Sequence, residues 1–194
     1  REALATLVRV GTSAGGARAK AIVDWNPSTG EFRSGQIKNP EGFEHWIIKF
    51  DGVGNKEERA IISPQGYGKI EFVYSELARL AGINMPKTHL YHEGGRSHFM
   101  VKRFDRDNSG DKIHMQSQGA IRHVDYNSPG IYSYEETLIS MKQLELPVSD
   151  LEEFFRRAVF NVFARNNDDH VKNVAFLMDR RGQWRLSPAY DLTF

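Results

Sequence analysis

At 194 residues the chain is long enough for one large domain or two small lobes with a sizeable core. Its 26 basic and 25 acidic residues nearly cancel, so no whole-chain field points to nucleic acid, an anionic membrane or an acidic polymer as partner. There is no cysteine, which excludes disulfides, thiolate zinc sites and a thiol nucleophile and fits a reducing cytoplasm, the expected compartment. No stretch approaches the roughly 20 apolar residues of a membrane span, and the opening REALATLVRV lacks the form of a signal peptide.

Gly11 to Lys20, GTSAGGARAK, packs small residues together ahead of AIVDW, which reads as a strand. NPSTG then turns the chain toward EFRSG, predicting a hairpin. HWIIKF, His45 to Phe50, is a short strand with Lys49 near its end, and Asp51 to Gly68 is expected to be an exposed loop. Val73, Tyr74, Leu77, Leu80 and Ala81 recur at helical spacing, predicting a helix over Ile70 to Ala81 with Gly82 as its stop and Glu71 in its first turn. KTHLYH and SHFMVKRF flank EGGR as two strands around a tight turn.

After DRDNSGDK the composition changes. Ser133 with Glu136 and Ser149 with Glu152 fit the capping box, so two helices are expected there. The second offers Leu151, Phe154, Phe155, Ala158, Val159, Val162 and Phe163 as a broad buried face, and Phe160 also reads as core. VAFLMD, RRG and QWRLS read as strand, turn and strand leading to Tyr190 and Asp191. The prediction is an α+β fold with a β-rich part at residues 1–104 and a helical part at 105–194, joined near Val101 to Arg106.

NNDDHVKN, Asn166 to Asn173, is too dense in carboxylates and amides for a plain loop. Phosphoryl transfer requires phosphates held, magnesium positioned and a hydroxyl oriented for in-line attack. The small-residue loop with Ser13, Gly15, Gly16 and Lys20 would let backbone amides approach phosphates, and Lys49 would neutralise them. Glu71 would hold Lys49 as structural support, Asp168 would act as the base, and Asn173 and Asp191 would bind Mg2+. Each residue alone has an ordinary explanation as a turn, a solvated strand end, a helix charge or a cap. Their order along the chain carries the reading, together with a hairpin that returns Asp191 toward Asn173. A hydrolytic metal site at Asp168, Asp169 and His170 competes for the same residues. His89 and His92 are three apart on a strand and point to opposite faces, which makes a poor chelate. The basic VKRFDR and RR fall on a strand and a turn, so direct nucleic-acid binding has little support.

SAGGARAK, IIKF, EFVYSELARLAGINMP, VKRFDR, NNDDHVKN and SPAYDL, in this order, resemble the HipA-like serine/threonine kinases of bacterial toxin–antitoxin systems. The resemblance covers nearly the whole chain and implies a bilobal protein-kinase-like fold with a truncated helical lobe, binding ATP and Mg2+. It implies Lys49 on the ATP phosphates, Lys102 to Phe104 framing the adenine, and His170 and Lys172 in the same nucleotide-binding loop as the base Asp168. Ser13 matches the serine whose autophosphorylation ejects the Gly-rich loop from the ATP site. An aminoacyl-tRNA synthetase as protein substrate and a small DNA-binding antitoxin as partner follow from the same resemblance. Three positions depart from the family pattern: Arg18 stands where Gln is usual, Asp169 where Gly is usual, and Lys102 where an acid is common. The chain begins just before the Gly-rich loop and ends just after Asp191, so it is expected to lack an upstream subdomain and much of the helical lobe. A non-catalytic nucleotide-binding module of this fold and a small-molecule phosphotransferase are the rival readings. The presence of both Asp168 and Asp191 favours catalysis over the former.

Overall fold

The computed structural model describes residues 19–37, 40–52, 65–107, 109–125, 130 and 132–193. Ser13, Gly15, Gly16 and Arg18 lie outside the described residues, as does most of the loop expected between Asp51 and Gly68. The chain divides into two compact units. One comprises the described residues of Arg1–Val73 with Lys87–Arg103, and the other Tyr74–Pro86 with Phe104–Phe194.

In the first unit, β1 (Lys20–Trp25), β2 (Phe32–Ser34), β3 (Glu44–Lys49), β4 (Thr88–Glu93) and β5 (Arg96–Lys102) form an antiparallel sheet in the order β2-β1-β3-β5-β4. The β1–β2 turn is set by Asn26, whose side-chain oxygen accepts from the Ser28 amide at 2.9 Å. At the β4–β5 turn, Gly94 and Gly95 both hold positive φ, 57° and 79°, as a two-residue hairpin requires. Because side chains alternate, the register places Ala21 opposite Ile48, Val23 opposite Trp46 and Ile48 opposite Met100 on one face. That face is the core, completed by Ala19 and Phe50 and flanked by Trp25, Phe32 and Tyr91. Lys20, Ile22, Ile47, Lys49, Phe99 and Val101 share the opposite face.

Helix α1 (Tyr67–Leu80) starts three residues before the expected Ile70, which moves Glu71 out of the first turn into the second. Its start is held by Asp51, whose carboxylate accepts the Gly66 amide at 3.0 Å, an anion at the positive end of the helix. Asp51 is therefore buried, contrary to the exposed loop expected there. The Asp51 amide in turn donates to His98 Nδ1 at 3.0 Å. Burial holds the His98 pKa below its usual value against the opposing pull of Glu93 and Asp51, so the ring is a neutral acceptor.

The buried stripe of α1 is Gly68, Glu71, Ser75 and Ala78, while the apolar residues that revealed the helix, Val73, Leu77 and Leu80, are exposed. Small residues on the inner stripe allow close approach: a Cβ on Gly68 would sit 2.1 Å from the Ser97 carbonyl oxygen. The helix ends where expected, with Gly82 at φ 77° and the Ile83 amide returning to the Ala78 carbonyl at 3.0 Å.

In the second unit, β6 (His114–Ser117), β7 (Ala175–Met178) and β8 (Trp184–Leu186) form an antiparallel sheet in that order. The sequence reading named the β7–β8 hairpin and missed β6, whose residues, with the exception of Met115, are polar. Helices α2 (Gln118–Arg122), α3 (Tyr134–Gln143) and α4 (Val148–Phe163) pack around a core of Met141, Leu146, Phe154, Phe176 and Leu186. The Ser133–Glu136 capping box is present at the start of α3. The second expected box is absent: α4 is preceded by Pro147 with no side-chain cap, and Ser149 lies inside the helix. Asp150, in the first turn, instead ties the helix to β8, accepting the Leu186 amide at 2.8 Å and Arg185 Nε at 3.0 Å.

The broad apolar face expected on α4 is buried only in part. Phe154 and Ala158 are interior, whereas Phe155, Val159, Val162 and Phe163 are exposed, the last by 85%. The buried side also includes Asp150, Arg157 and Asn161, and two of these bind polar main chain, Asp150 at the Leu186 amide and Arg157 at the Ser187 carbonyl. Arg157 donates to Glu153 at 3.0 Å and to the Ser187 carbonyl at 2.8 Å, and Glu153 accepts the Asn84 amide at 2.9 Å. Burial lowers the Arg157 pKa, and Glu153 opposes that shift.

Candidate functional site

The expected site residues fall into two groups, one in each unit. In the first unit, Lys49 ends β3 on the face opposite the core, directly across from Lys20 on β1. The Lys49 ammonium pairs with the Glu71 carboxylate from the second turn of α1. Both side chains are largely withdrawn from water, at 18% and 6% exposure, so the pair sits where Coulomb attraction is strong. The Phe99 ring lies 5.7 Å from the ammonium and supplies a further favourable face.

Lys102 does not join this group. The register pairs it with Trp46, which places its side chain on the opposite sheet face from Lys49, where its ammonium bonds Glu44 at 2.6 Å. Burial raises the Glu44 pKa, but the bond and charge of Lys102 outweigh it and leave the carboxyl below its usual range. The Lys102 side chain thus leaves the sheet on the face opposite Lys49.

In the second unit, α4 ends at the Ala164 cap, the chain turns through Arg165 at φ 54°, and the NNDDHVKN loop follows. Tyr74 anchors the helix end by donating to the Ala164 carbonyl at 2.8 Å. Asn166 organises the turn. Its amide nitrogen donates to Asn161 Oδ1 at 3.2 Å and the Asp191 carbonyl at 3.5 Å, and its Oδ1 accepts the Asp168 amide at 3.2 Å. Asn173, itself buried, closes the loop by donating to the carbonyls of Asp168 at 2.8 Å and Asp191 at 3.4 Å. Two amides therefore tie the Asp168 loop to the Asp191 backbone, and donation through Nδ2 turns the Asn173 Oδ1 away from those carbonyls. Tyr190 adds a third tie, donating to the Lys172 carbonyl at 2.6 Å, and burial together with Asp191 raises its pKa so the phenol stays protonated.

The Asp168 side chain is 79% exposed, held in position by its backbone while its carboxylate faces solvent, with His170 Nε2 at 3.9 Å. Asp169 points elsewhere and accepts the Tyr134 hydroxyl of α3. Burial and then Asp169 raise the Tyr134 pKa, so the phenol remains a donor. The Phe104 ring packs against Tyr190 at 5.7 Å. Asp191 adopts φ 52°, the left-handed region that Asp and Asn tolerate better than most residues. Asn166, Tyr190 and Tyr134 are the positioning residues that sequence reasoning missed. Asn166 and Tyr190 stood inside the quoted motifs, whereas nothing in the local sequence pointed to Tyr134.

Among the described residues, no group of three His, Asp or Glu side chains converges to hold a metal, which speaks against the hydrolytic site at Asp168, Asp169 and His170. Magnesium is less demanding of the protein: it keeps waters and uses one or two protein oxygens with substrate phosphates. The Asp191 carboxylate and the Asn173 carbonyl fit that donor set. Among the described residues no helix is long and apolar enough to cross a membrane.

Comparison with known proteins bears on the family and the fold. The family model described as "HipA-like C-terminal domain" matches residues 12–194. The "Putative kinase Y4dM" of Sinorhizobium fredii is 27% identical over 194 residues, covering 89% of this chain and 47% of that protein. The "Serine/threonine-protein kinase toxin HipA" of Shewanella oneidensis is 24% identical, covering 93% and 42%. The solved complex of Shewanella oneidensis HipA with HipB and operator DNA contains a chain of similar fold, with a TM-score of 0.67, 21% identity, and 93% of this chain covered against 43% of that one. The chain spans about half the length of the curated relatives it matches.

Proposed function

Because the chain belongs to the HipA-like C-terminal domain family and has its kinase-like α+β fold, we propose that it is the catalytic core of an ATP-dependent protein kinase acting on serine or threonine. The observation that carries the reading is the double amide tie, through Asn166 and Asn173, of the exposed Asp168 to the backbone of Asp191. Such a bond pattern holds a solvent-facing carboxylate and a second carboxylate in fixed relation without using either one.

In this reading Asp168 orients the acceptor hydroxyl and takes its proton as the oxygen attacks the γ-phosphorus and the bond to the β,γ-bridging oxygen breaks, releasing ADP. Lys49, held by Glu71, and its cross-strand neighbour Lys20 offset the charge of the phosphates. Asn173 Oδ1 and the Asp191 carboxylate would hold Mg2+, which would supply positive charge to offset the charge of the phosphates. His170 and Lys172 lie in the same loop and would add positive charge near the phosphates. Ser13, Gly15 and Gly16 complete the proposal as the phosphate-cradling loop, with Ser13 as the site of regulatory autophosphorylation. By relationship to the HipA toxin, a protein substrate such as an aminoacyl-tRNA synthetase and a DNA-binding antitoxin partner are proposed for the whole protein, with action in the cytoplasm.

The test is incubation of the chain with MgATP, followed by intact-mass measurement and peptide mapping, alongside Asp168→Asn. The expected result is phosphate on Ser13 that is lost in the variant. Absence of phosphate together with absence of MgATP binding in calorimetry would overturn the reading. Binding without transfer would indicate a nucleotide-binding module, and transfer only to small acceptors would indicate a small-molecule phosphotransferase.

A further inference from the structure

Two carboxylates stand side by side in the catalytic loop, and they face different ways. Asp168 is exposed, whereas Asp169 is half-buried and accepts the Tyr134 hydroxyl from α3. Tyr134 is fixed in turn, its ring set edge-to-face with Phe154 at a centroid distance of 6.0 Å. The Asn161 side chain of α4, which is 7% exposed, also bonds the phenol oxygen. Asn161 holds Asn166 twice: its Oδ1 accepts the Asn166 side chain at 3.2 Å, and its main-chain carbonyl accepts the Asn166 amide at 2.9 Å. Asn166 Oδ1 accepts the Asp168 amide at 3.2 Å, so the bonds run from Asp169 through α3 and α4 and return to the residue beside it.

We propose that Tyr134 and Asn161 are positioning residues for the base: they commit the Asp169 carboxylate to α3, so that Asp168 alone faces the acceptor. The inference rests on the kinase reading and gives the second carboxylate of the loop a separate task. A free carboxylate beside Asp168 would offer the acceptor hydroxyl a wrong partner and would repel the γ-phosphate. Donation from a packed phenol satisfies that charge without a cation, which would itself draw the phosphates. Because the ring of bonds is closed, the contact that turns Asp169 away also steadies the amide of Asp168.

The test compares the 194-residue chain with Tyr134→Phe and with Tyr134→Phe/Asp169→Asn. Intact mass reads the rate of phosphate incorporation from MgATP, and amide hydrogen exchange reads the Asn166–Asn173 segment. Tyr134→Phe keeps the ring and frees the carboxylate, so it is expected to slow incorporation about tenfold and to raise exchange in the segment. Asn at position 169 removes the charge at constant shape, so the double variant should recover most of the rate although it restores no bond. A support lost only through packing would stay lost in the double variant. An undiminished rate in Tyr134→Phe, or no recovery in the double variant, would overturn the proposal. If the unsubstituted chain transfers no phosphate, the kinase reading falls and exchange decides the rest: a rise in Tyr134→Phe supports the anchoring of the loop by Tyr134, and no rise overturns it. The two failures are thus distinguishable.

Discussion

At the scale of single residues, the most consequential charge is Lys49, because it is nearly buried and Glu71 neutralises it. Glu71→Gln keeps the shape and removes the countercharge. Leaving the ammonium without it is expected to cost about 3 kcal/mol in urea unfolding and to raise the KM for ATP more than it lowers kcat. His98 gives the first unit a pH dependence. Its folded pKa lies below the ordinary 6.5, so the unfolded chain binds more protons in acid. The contribution is complete above pH 6.5 and is lost as pH falls through the folded pKa. His89, also lowered by burial, acts in the same direction. Unfolding midpoints should therefore drop below about pH 6.5, and His98→Gln should flatten that slope. An unchanged slope would show that the Asp51–His98 bond does not couple to folding.

Among the elements, α4 separates burial from apolarity. Phe154 is 2% exposed inside the core of the second unit, so Phe154→Ala is expected to cost about 3–5 kcal/mol. Phe163 carries the same side chain at 85% exposure, and Phe163→Ala should change stability by less than about 0.5 kcal/mol. Denaturant midpoints of the two variants test the assignment directly, and equal losses would contradict it. In α1 the comparable lever is Gly68, where an alanine Cβ would collide with the Ser97 carbonyl. Gly68→Ala must push the start of α1 away from β5 and carry Glu71 with it.

For the molecule as a whole, nucleotide binding is linked to stability, since a ligand that binds only the folded chain raises its unfolding free energy. MgATP at about 100 times its dissociation constant should add about 2.7 kcal/mol, or about 5–10 °C in Tm for a chain of this size. Asp191→Asn isolates the carboxylate, because Asn tolerates the left-handed φ of 52° that this position requires. That variant should keep its Tm without ligand and lose most of the MgATP shift, and a full shift would remove Asp191 from the metal-binding role.

Period and turn chemistry made most elements readable from the chain alone. Short apolar runs in AIVDW, HWIIKF and SHFMVKRF, the glycines of EGGR and the Ser133–Glu136 box are local signals, and the corresponding elements are present. The order of Lys49, Glu71, Asp168, Asn173 and Asp191 was likewise legible, and the Lys49–Glu71 pair and the Asp168–Asn173–Asp191 ties unite them in two groups. Which helix face is buried was not legible, because α1 uses small residues and a charge to approach the sheet, and α4 uses polar side chains to hold backbone. Lys102 likewise depended on the sheet, since its strand parity relative to Lys49 follows from the β3–β5 register. Asn166 and Tyr134 act on partners distant in sequence or through backbone carbonyls, which a one-dimensional pattern does not encode. Local chemistry thus specifies the elements and the order of reactive groups, whereas burial, side-chain facing and the ties that hold a catalytic loop arise when distant segments pack.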